Sequence, residues 1–154
     1  MSTPYGIGPE IVPLDLWTRN NISTIYRARN QNDFSKAYDA FVADNAQVTV
    51  NGRPLSRDQY KVLFHGEPFL EQSASVSFLG SVEVAARTKE PETVSGMVGI
   101  YYKATVSEGV RVPGCETSST INSSMNVAIE GGNAFDRKVT KVDQVITSQL
   151  NPTA

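Results

Sequence analysis

Apolar residues recur with a helical period over the first part of the chain. Between Leu14 and Arg29 they approximate one stripe, made by Leu14, Trp17, Ile22, Ile25 and Tyr26. The segment "NDFSKAYDAF" repeats the i, i+3, i+4, i+7 spacing with Phe34, Ala37, Tyr38 and Phe41. Asn32 or Asp33 precedes this stripe and is suited to cap it. The spacing predicts two amphipathic helices.

A third, shorter helix is predicted in "LSRDQYKVLF", after the alternating strand-like segment "AQVTVNG". Ser56 and Gln59 have the spacing of a capping box, in which each side chain bonds the other residue's backbone N–H. Gly66 and Pro68 then end the helix. Its buried stripe is predicted to be Tyr60, Leu63 and Phe64.

After Phe69 the apolar positions alternate with a period of two, which is typical of half-buried strands. A phase change at Gly80 predicts a bend in the first strand. The next two strands each have one apolar face, consisting of Val94, Val98, Ile100, Tyr102, Ala104 and Val106, then Ile121, Met125, Val127 and Ile129. In the last strand Val139 and Val145 share one phase, while Val142 and Ile146 share the other. That strand is therefore either covered on both faces or interrupted by a bulge.

Helices lie mainly in the first half of the sequence and strands in the second, which predicts an α+β domain. We expect a curved antiparallel sheet wrapped around three N-terminal helices. The predicted divisions are an N-terminal extension over 1–13, a single domain over 14–150 and a C-terminal tail over 151–154.

The composition limits which binding partners and which cellular location we expect for the protein. The formal net charge is -2 and the 14 Lys and Arg residues are scattered, so no basic patch for nucleic acid is predicted. Cys115 is the single cysteine, which excludes an intrachain disulfide and a four-cysteine zinc site. We expect no metal and no cofactor. Because no signal peptide or membrane-spanning run is evident, we expect a cytoplasmic protein without a membrane partner.

The order of these elements resembles the nuclear transport factor 2-like (NTF2-like) superfamily, also called SnoaL-like, with a cystatin-like fold. The similar segments are "LWTRNNISTIYRARNQNDFSKAYDAFVADNAQVTVNG", the capped "LSRDQYKVLF", and "RKVTKVDQVI" after the turn "EGGN". The resemblance implies a cone-shaped α+β barrel with an apolar pocket between helices and sheet. Members include isomerases, dehydratases, polyketide cyclases and transport adaptors, so the fold does not choose a function.

His65, the only histidine, has two interpretations. With Asp58 or Glu67 as an orienting carboxylate, it could act as a catalytic base, because its pKa lies near neutrality. Alternatively, His65 ends its helix beside the last carbonyl groups, Asp58 favours the helix N-terminus, and Glu67 lies in a solvated turn. The second interpretation is the simpler one. Cys115 has no neighbouring base that would activate it, so catalysis there is not predicted.

Several aromatic residues share stripes with aliphatic ones and are predicted to pack at the pocket. These ligand-binding candidates are Tyr26, Tyr38, Tyr60, Phe64 and Tyr102. The leading hypothesis is a protein that binds a small apolar or amphipathic molecule there. The alternatives are an isomerase, dehydratase or cyclase that uses acid–base chemistry in the same pocket, or a dimeric interaction protein without a ligand.

Both faces of the sheet carry apolar residues, and the helices can cover only one of them. We therefore expect a homodimer through the convex face, with Met97, Tyr101 and Val145 near its centre.

Overall fold

The structure is a computed structural model that describes residues 12–65, 73–86, 95–107, 118–132 and 136–151. Glu67, Cys115 and most of the predicted 107–119 loop lie outside the described residues, and His65 is placed by its backbone alone. The division into an extension, a domain and a tail stays a prediction.

Three helices and six strands form the described fold. The helices are α1 (Leu14–Arg27), α2 (Gln31–Phe41) and α3 (Arg57–His65). The strands are β1 (Val42–Val50), β2 (Arg53–Leu55), β3 (Ser73–Ala85), β4 (Gly96–Ser107), β5 (Ser118–Glu130) and β6 (Lys138–Leu150). They make one sheet in the order β2-β1-β6-β5-β4-β3.

The predicted α+β class is confirmed, with one difference in strand direction. β1 runs parallel to β6, whereas the other neighbouring strands are antiparallel, so the curved sheet is mixed. The sheet is also open, with β2 and β3 as its edges. β2 forms a short hairpin with β1 through Asn51 and Gly52, which both have positive φ. This short strand was not predicted from the sequence.

Of the two helix starts predicted from capping residues, that of α3 is correct and that of α2 is not. The capping box of α3 is confirmed, because the Gln59 N–H donates to Ser56 Oγ at 3.1 Å and the Ser56 N–H to Gln59 Oε1 at 2.9 Å. The predicted cap of α2, Asn32 or Asp33, was two or three residues late. Asn30 is the N-cap, since its extended backbone lets Oδ1 accept from the Asp33 N–H at 2.8 Å.

Leu63 was wrongly predicted to be buried, since 43% of it is exposed. α3 is short and lies mainly against β1. Tyr60 and Phe64, which lie four residues apart, form its packed face, and Tyr60 is fully buried. Leu63 falls beside that narrow stripe.

Two bulges determine which side chains face the helices. The bend predicted at Gly80 is a register shift between Phe78 and Gly80. In β6, Val139 pairs with Ile129 and Lys141 with Ala128, so Thr140 is the extra residue of a bulge. This decides between the two interpretations of the last strand. Beyond the bulge Val142, Gln144 and Ile146 face the helices, while Val145 is exposed.

The helices pack on one face of the sheet, which we call the inner face. The core between them is a single cluster, and its largest fully buried side chains include Tyr38, Tyr60, Tyr102, Phe34 and Phe41. The opposite, outer face exposes apolar side chains at Val82, Val84, Met97, Tyr101 and Val145. We call these five residues the outer patch. Within the described residues, the helices are too short or too polar to cross a membrane.

Candidate functional site

A hydrogen-bonded cluster of polar side chains is buried where the helices meet the inner face. Its members come from five elements: Tyr26 (α1), Tyr60 (α3), Tyr102 (β4), Ser123 (β5) and Gln144 (β6). We call them the tyrosine–glutamine cluster. The Tyr60 hydroxyl donates to Gln144 Oε1 at 2.6 Å. Gln144 Nε2 donates to Ser123 Oγ at 2.7 Å and to the Tyr102 hydroxyl at 3.4 Å.

Tyr26 completes the cluster through its hydroxyl, which lies 3.0 Å from the Tyr102 hydroxyl. Burial raises the pKa of the Tyr26, Tyr60 and Tyr102 hydroxyls. The three phenols therefore stay neutral and keep their protons at physiological pH. They can donate hydrogen bonds, but they are poor candidates for bases.

Half-buried apolar side chains border this cluster. In the register of the sheet, Phe78 lies opposite Tyr102, Tyr102 opposite Ser123, and Ser123 opposite Ile146. Phe64 packs edge-on to Tyr26 with ring centroids 5.7 Å apart, and Phe78 lies 6.0 Å from Tyr102. Phe64, Phe78 and Ile146 are each only partly buried. The polar cluster thus adjoins an incompletely covered apolar surface.

Tyr38, another ligand-binding candidate, packs against the Tyr60 ring with centroids 6.2 Å apart, but its hydroxyl bonds outside the cluster. Its hydroxyl donates to the Arg57 carbonyl oxygen at 2.7 Å, and the Arg57 guanidinium lies 4.9 Å from its ring centroid. Arg57 also donates to the carbonyl oxygens of Ala43 and Val42 and to the Asp39 carboxylate. Burial raises the pKa of Tyr38. Its contacts join α2 to α3 and give it a packing role.

Of the acid–base candidates, only Asp58 has a described side chain. Asp58 is exposed in the first turn of α3, and His65 is the last residue of that helix. The roles of His65, Asp58 and Glu67 therefore stay predictions. No group of three or more side chains that could hold a metal ion occurs in the part of the chain that the structure describes.

Sequence reasoning missed Ser123 and Gln144, the two strand residues of the cluster. The signal was present, since Ser123 shares the inward phase of β5 with Ile121 and Met125. A polar residue at an inward position predicts a buried hydrogen-bond partner. For Gln144 the signal was hidden, because the Thr140 bulge changes the phase of β6.

The outer face presents a second feature, which combines the outer patch with two charges. The five patch residues are 44–72% exposed. Lys141 and Asp143 are exposed on the same face of β6, where Lys141 lies opposite Ala128 and Asp143 opposite Asn126. Neither has an ion-pair partner among the described residues. An open groove of about 1060 Å³ lies at one end of this face, beside Met97, Ala128 and Lys141.

Comparisons with known proteins identify the fold. Neither a family model nor a curated protein sequence matches the chain. Among solved structures, nuclear transport factor 2 from Cryptosporidium parvum has a TM-score of 0.52 at 9% identity, covering 89% of this chain and 90% of its own. Candida albicans Mtr2, alone and in complex with the Mex67 M domain, has a TM-score of 0.50 at 10% identity, covering 92% of this chain and 96% of its own. The chain therefore has the nuclear transport factor 2-like fold, without a close match to one subfamily.

Proposed function

We propose that this protein works by association, as a homodimer that pairs through the outer face of its sheet. The observation that carries the proposal is the outer patch, where five large apolar side chains are exposed together. A group of exposed apolar side chains on one face of a sheet is a common mark of a protein–protein interface.

The charges beside the patch favour a second copy of the chain as the partner. In a twofold-symmetric interface the same surface meets itself, so residue i contacts residue j and residue j contacts residue i. Lys141 and Asp143 carry opposite charges two residues apart on one face of β6. Across a twofold axis, Lys141 of one copy can pair with Asp143 of the other, and both pairs form at once.

The comparison with Mtr2 supports an interaction protein of this fold. The Candida albicans structures include Mtr2 in a complex with the Mex67 M domain. Binding to another protein is thus one function of a protein with this fold. The proposal for this chain rests on its own outer patch.

Sedimentation velocity with a charge exchange tests the homodimer. We expect wild type to sediment as a dimer at tens of micromolar, and Val145→Lys to sediment as a monomer. Lys141→Glu and Asp143→Lys should each weaken the dimer, whereas the double variant should restore it. Lys36→Glu, which changes an exposed charge on α2 away from the outer face, is the matched control. Monomeric wild type, or a double variant weaker than both single variants, would contradict the proposal.

A second function is favoured by the tyrosine–glutamine cluster. We propose that the inner face also binds a small apolar or amphipathic molecule, with Tyr26, Tyr60, Phe64 and Tyr102 as contacts and Tyr38 as support. Binding sites are mostly apolar surfaces with a few convergent polar groups. The border of Phe64, Phe78 and Ile146 beside buried hydroxyls has that composition.

A thermal-shift screen of steroid-like, terpenoid and polyketide compounds tests this second function. A compound at 100 times its Kd should stabilise the fold by about 2.7 kcal/mol. Phe78→Ser should abolish the shift, while Val82→Ser, on the outer face of the same strand, should leave it unchanged. If no compound shifts the wild-type midpoint, the ligand proposal is wrong. The isomerase, dehydratase or cyclase alternative stays a prediction, because the described residues place no acid–base pair at the cluster.

A further inference from the structure

The charge pair between two copies determines how their outer faces meet. Two sheets in face-to-face contact can be related by a twofold axis that lies between them, either along the strands or across them. Lys141 of one copy and Asp143 of the other occupy two positions of the same strand, β6. Only an axis across the strands reverses the order of positions along a strand. The axis therefore crosses β6 at Val142, between the two charges.

The register of the sheet gives the position of this axis on the neighbouring strands. Val142 lies opposite Val127 of β5, Val127 lies opposite Val98 of β4, and Val98 lies opposite Glu83 of β3. Outer-face residues one position to either side of this level face each other across the axis. The facing pairs, each joining one copy to the other, are Val82 with Val84, Met97 with Gly99, Ala128 with Asn126, and Lys141 with Asp143.

These facing pairs are complementary in size, polarity and charge. The two valines bring exposed apolar side chains together. Met97, which is 56% exposed, faces Gly99, which has no side chain. The charged pair joins a cation to an anion. Sheets that pack face to face interdigitate their side chains, so a large residue opposite a glycine is favourable.

The same symmetry brings Tyr101 of one copy to the groove of the other. Tyr101 lies three positions after Val98, so it faces Ser95, which lies three positions before Val98. Ser95 lines the groove at the end of the outer face, as does Ala86, whose N–H donates to the Ser95 carbonyl oxygen at 2.9 Å. Tyr101 is 44% exposed and therefore free to enter it.

Val145 reaches the other side of the same groove. It lies three positions after Val142, and the Thr140 bulge lies on the opposite side of Val142. Thr140 lines the groove beside Lys141. Val145 is 61% exposed. The two patch residues on one side of the axis thus face the two sides of a groove on the other side.

Resting on the homodimer proposed above, we propose that each copy inserts Tyr101 and Val145 into the groove of the other. The twofold axis of this dimer crosses the strands at Val98, Val127 and Val142. Exposed apolar side chains and an open groove then fill each other twice in every dimer. Tyr101 is the anchor, because a large aromatic side chain in a pocket is a common source of binding energy at interfaces.

Spin labels at Gln149 distinguish this pairing from one with its axis along the strands. Gln149 is exposed in β6, seven positions after Val142, and Gln149→Cys would carry the label in a Cys115→Ser background. With the axis across the strands, the two labels lie about 45–50 Å apart, since a strand rises about 3.3 Å per residue. With the axis along β5 they lie about 15 Å apart, because strands are about 4.8 Å and sheets about 10 Å apart. Double electron–electron resonance measures the distance, and the shorter one would overturn the pairing.

A complementary pair of variants tests the groove contact itself. Ala86→Trp fills the groove and Tyr101→Ala removes the side chain that enters it, so each should weaken its own dimer at least about tenfold. In a mixture of the two, Tyr101 of the first variant enters the open groove of the second, and the new indole replaces the missing phenol. We expect the mixed dimer to be tighter than either variant's own dimer, measured by sedimentation velocity.

A mixture of Lys36→Trp, changed on α2 away from the outer face, with Tyr101→Ala is the matched control. Its mixed dimer should be weaker than the dimer of Lys36→Trp alone, because one groove stays empty. If wild type is a dimer and the Ala86→Trp mixture gains nothing, the groove contact is wrong and the homodimer stands. A monomeric wild type overturns both.

Discussion

At the scale of single residues, Gln144 is the side chain on which most of the buried cluster depends. It is 1% exposed and bonds Tyr60, Ser123 and Tyr102. Leu has a side-chain volume similar to that of Gln, but it cannot accept a hydrogen bond. The substitution therefore leaves the fully buried Tyr60 hydroxyl without its acceptor. We expect Gln144→Leu to lower the free energy of unfolding by about 1–3 kcal/mol in urea denaturation.

The control for this prediction is Gln149→Leu, which replaces an exposed amide on the same strand. We expect it to change the free energy of unfolding by less than about 0.5 kcal/mol. Equal effects of the two substitutions would show that the Gln144 hydrogen bonds do not contribute to stability.

Glu83 provides a pH-dependent contact between β3 and the start of α1. Pro13, the N-cap of α1, has no side-chain cap bond, and the backbone N–H groups of Leu14 and Asp15 act to lower the pKa of the Glu83 carboxyl. Desolvation and a hydrogen bond with the Asp15 carboxyl raise the pKa of Glu83. A raised pKa means that folding favours the protonated form, so this contribution is present below about pH 4 and is lost as pH rises through the folded-state pKa.

We therefore expect Glu83→Gln, which keeps a neutral side chain at every pH, to gain stability relative to wild type as pH rises from about 4 to 7. Urea midpoints of both proteins across this range measure the difference. Glu130→Gln changes a carboxylate in β5 and serves as the control. A Glu83→Gln variant that loses stability relative to wild type with rising pH would contradict the assigned direction.

At the scale of elements, the capping box of α3 is the clearest link between sequence and structure. Both of its hydrogen bonds are present, so Ser56→Ala removes the acceptor of the Gln59 N–H. We expect a loss of about 0.5–2 kcal/mol in the free energy of unfolding, measured in urea. Ser77→Ala, at an exposed position in β3, should have almost no effect. A Ser56→Ala loss as small as that control would mean that the cap is not formed in solution.

The helices and strands were predictable where they depend on residues close together in the sequence. They were less predictable where they depend on tertiary contacts. The stripes of α1 and α2, the cap of α3, and the alternation in β4 and β5 depend on residues a few positions apart. The bulge at Thr140 depends on how β6 pairs with β5, so the sequence left two interpretations. The exposure of Leu63 depends on how α3 packs against β1, which its spacing does not determine.

At the scale of the whole molecule, the class and the order of elements other than β2 followed from the sequence, but the order of the strands within the sheet did not. β1 pairs in parallel with β6, a strand that begins almost ninety residues after β1 ends, and no local sequence pattern predicts such a pairing. The pairing brings Gln144 over α3, where Tyr60 reaches it. The tyrosines of the site were therefore predictable as a group, whereas their connection through Gln144 required the fold.

A homodimer makes stability depend on protein concentration, and this provides a test that is independent of hydrodynamics. Dissociation accompanies unfolding, so a tenfold rise in concentration stabilises each chain by about 0.7 kcal/mol, half of the 1.4 kcal/mol that a factor of ten represents. For a chain of this size we expect the Tm to rise by about 1–3 °C for each tenfold increase in protein concentration.

Calorimetry of wild type and Met97→Lys from about 5 to 500 micromolar measures this dependence. The variant places a charge in the outer patch, so its Tm should not depend on concentration. A wild-type Tm that does not change over this range would contradict the homodimer.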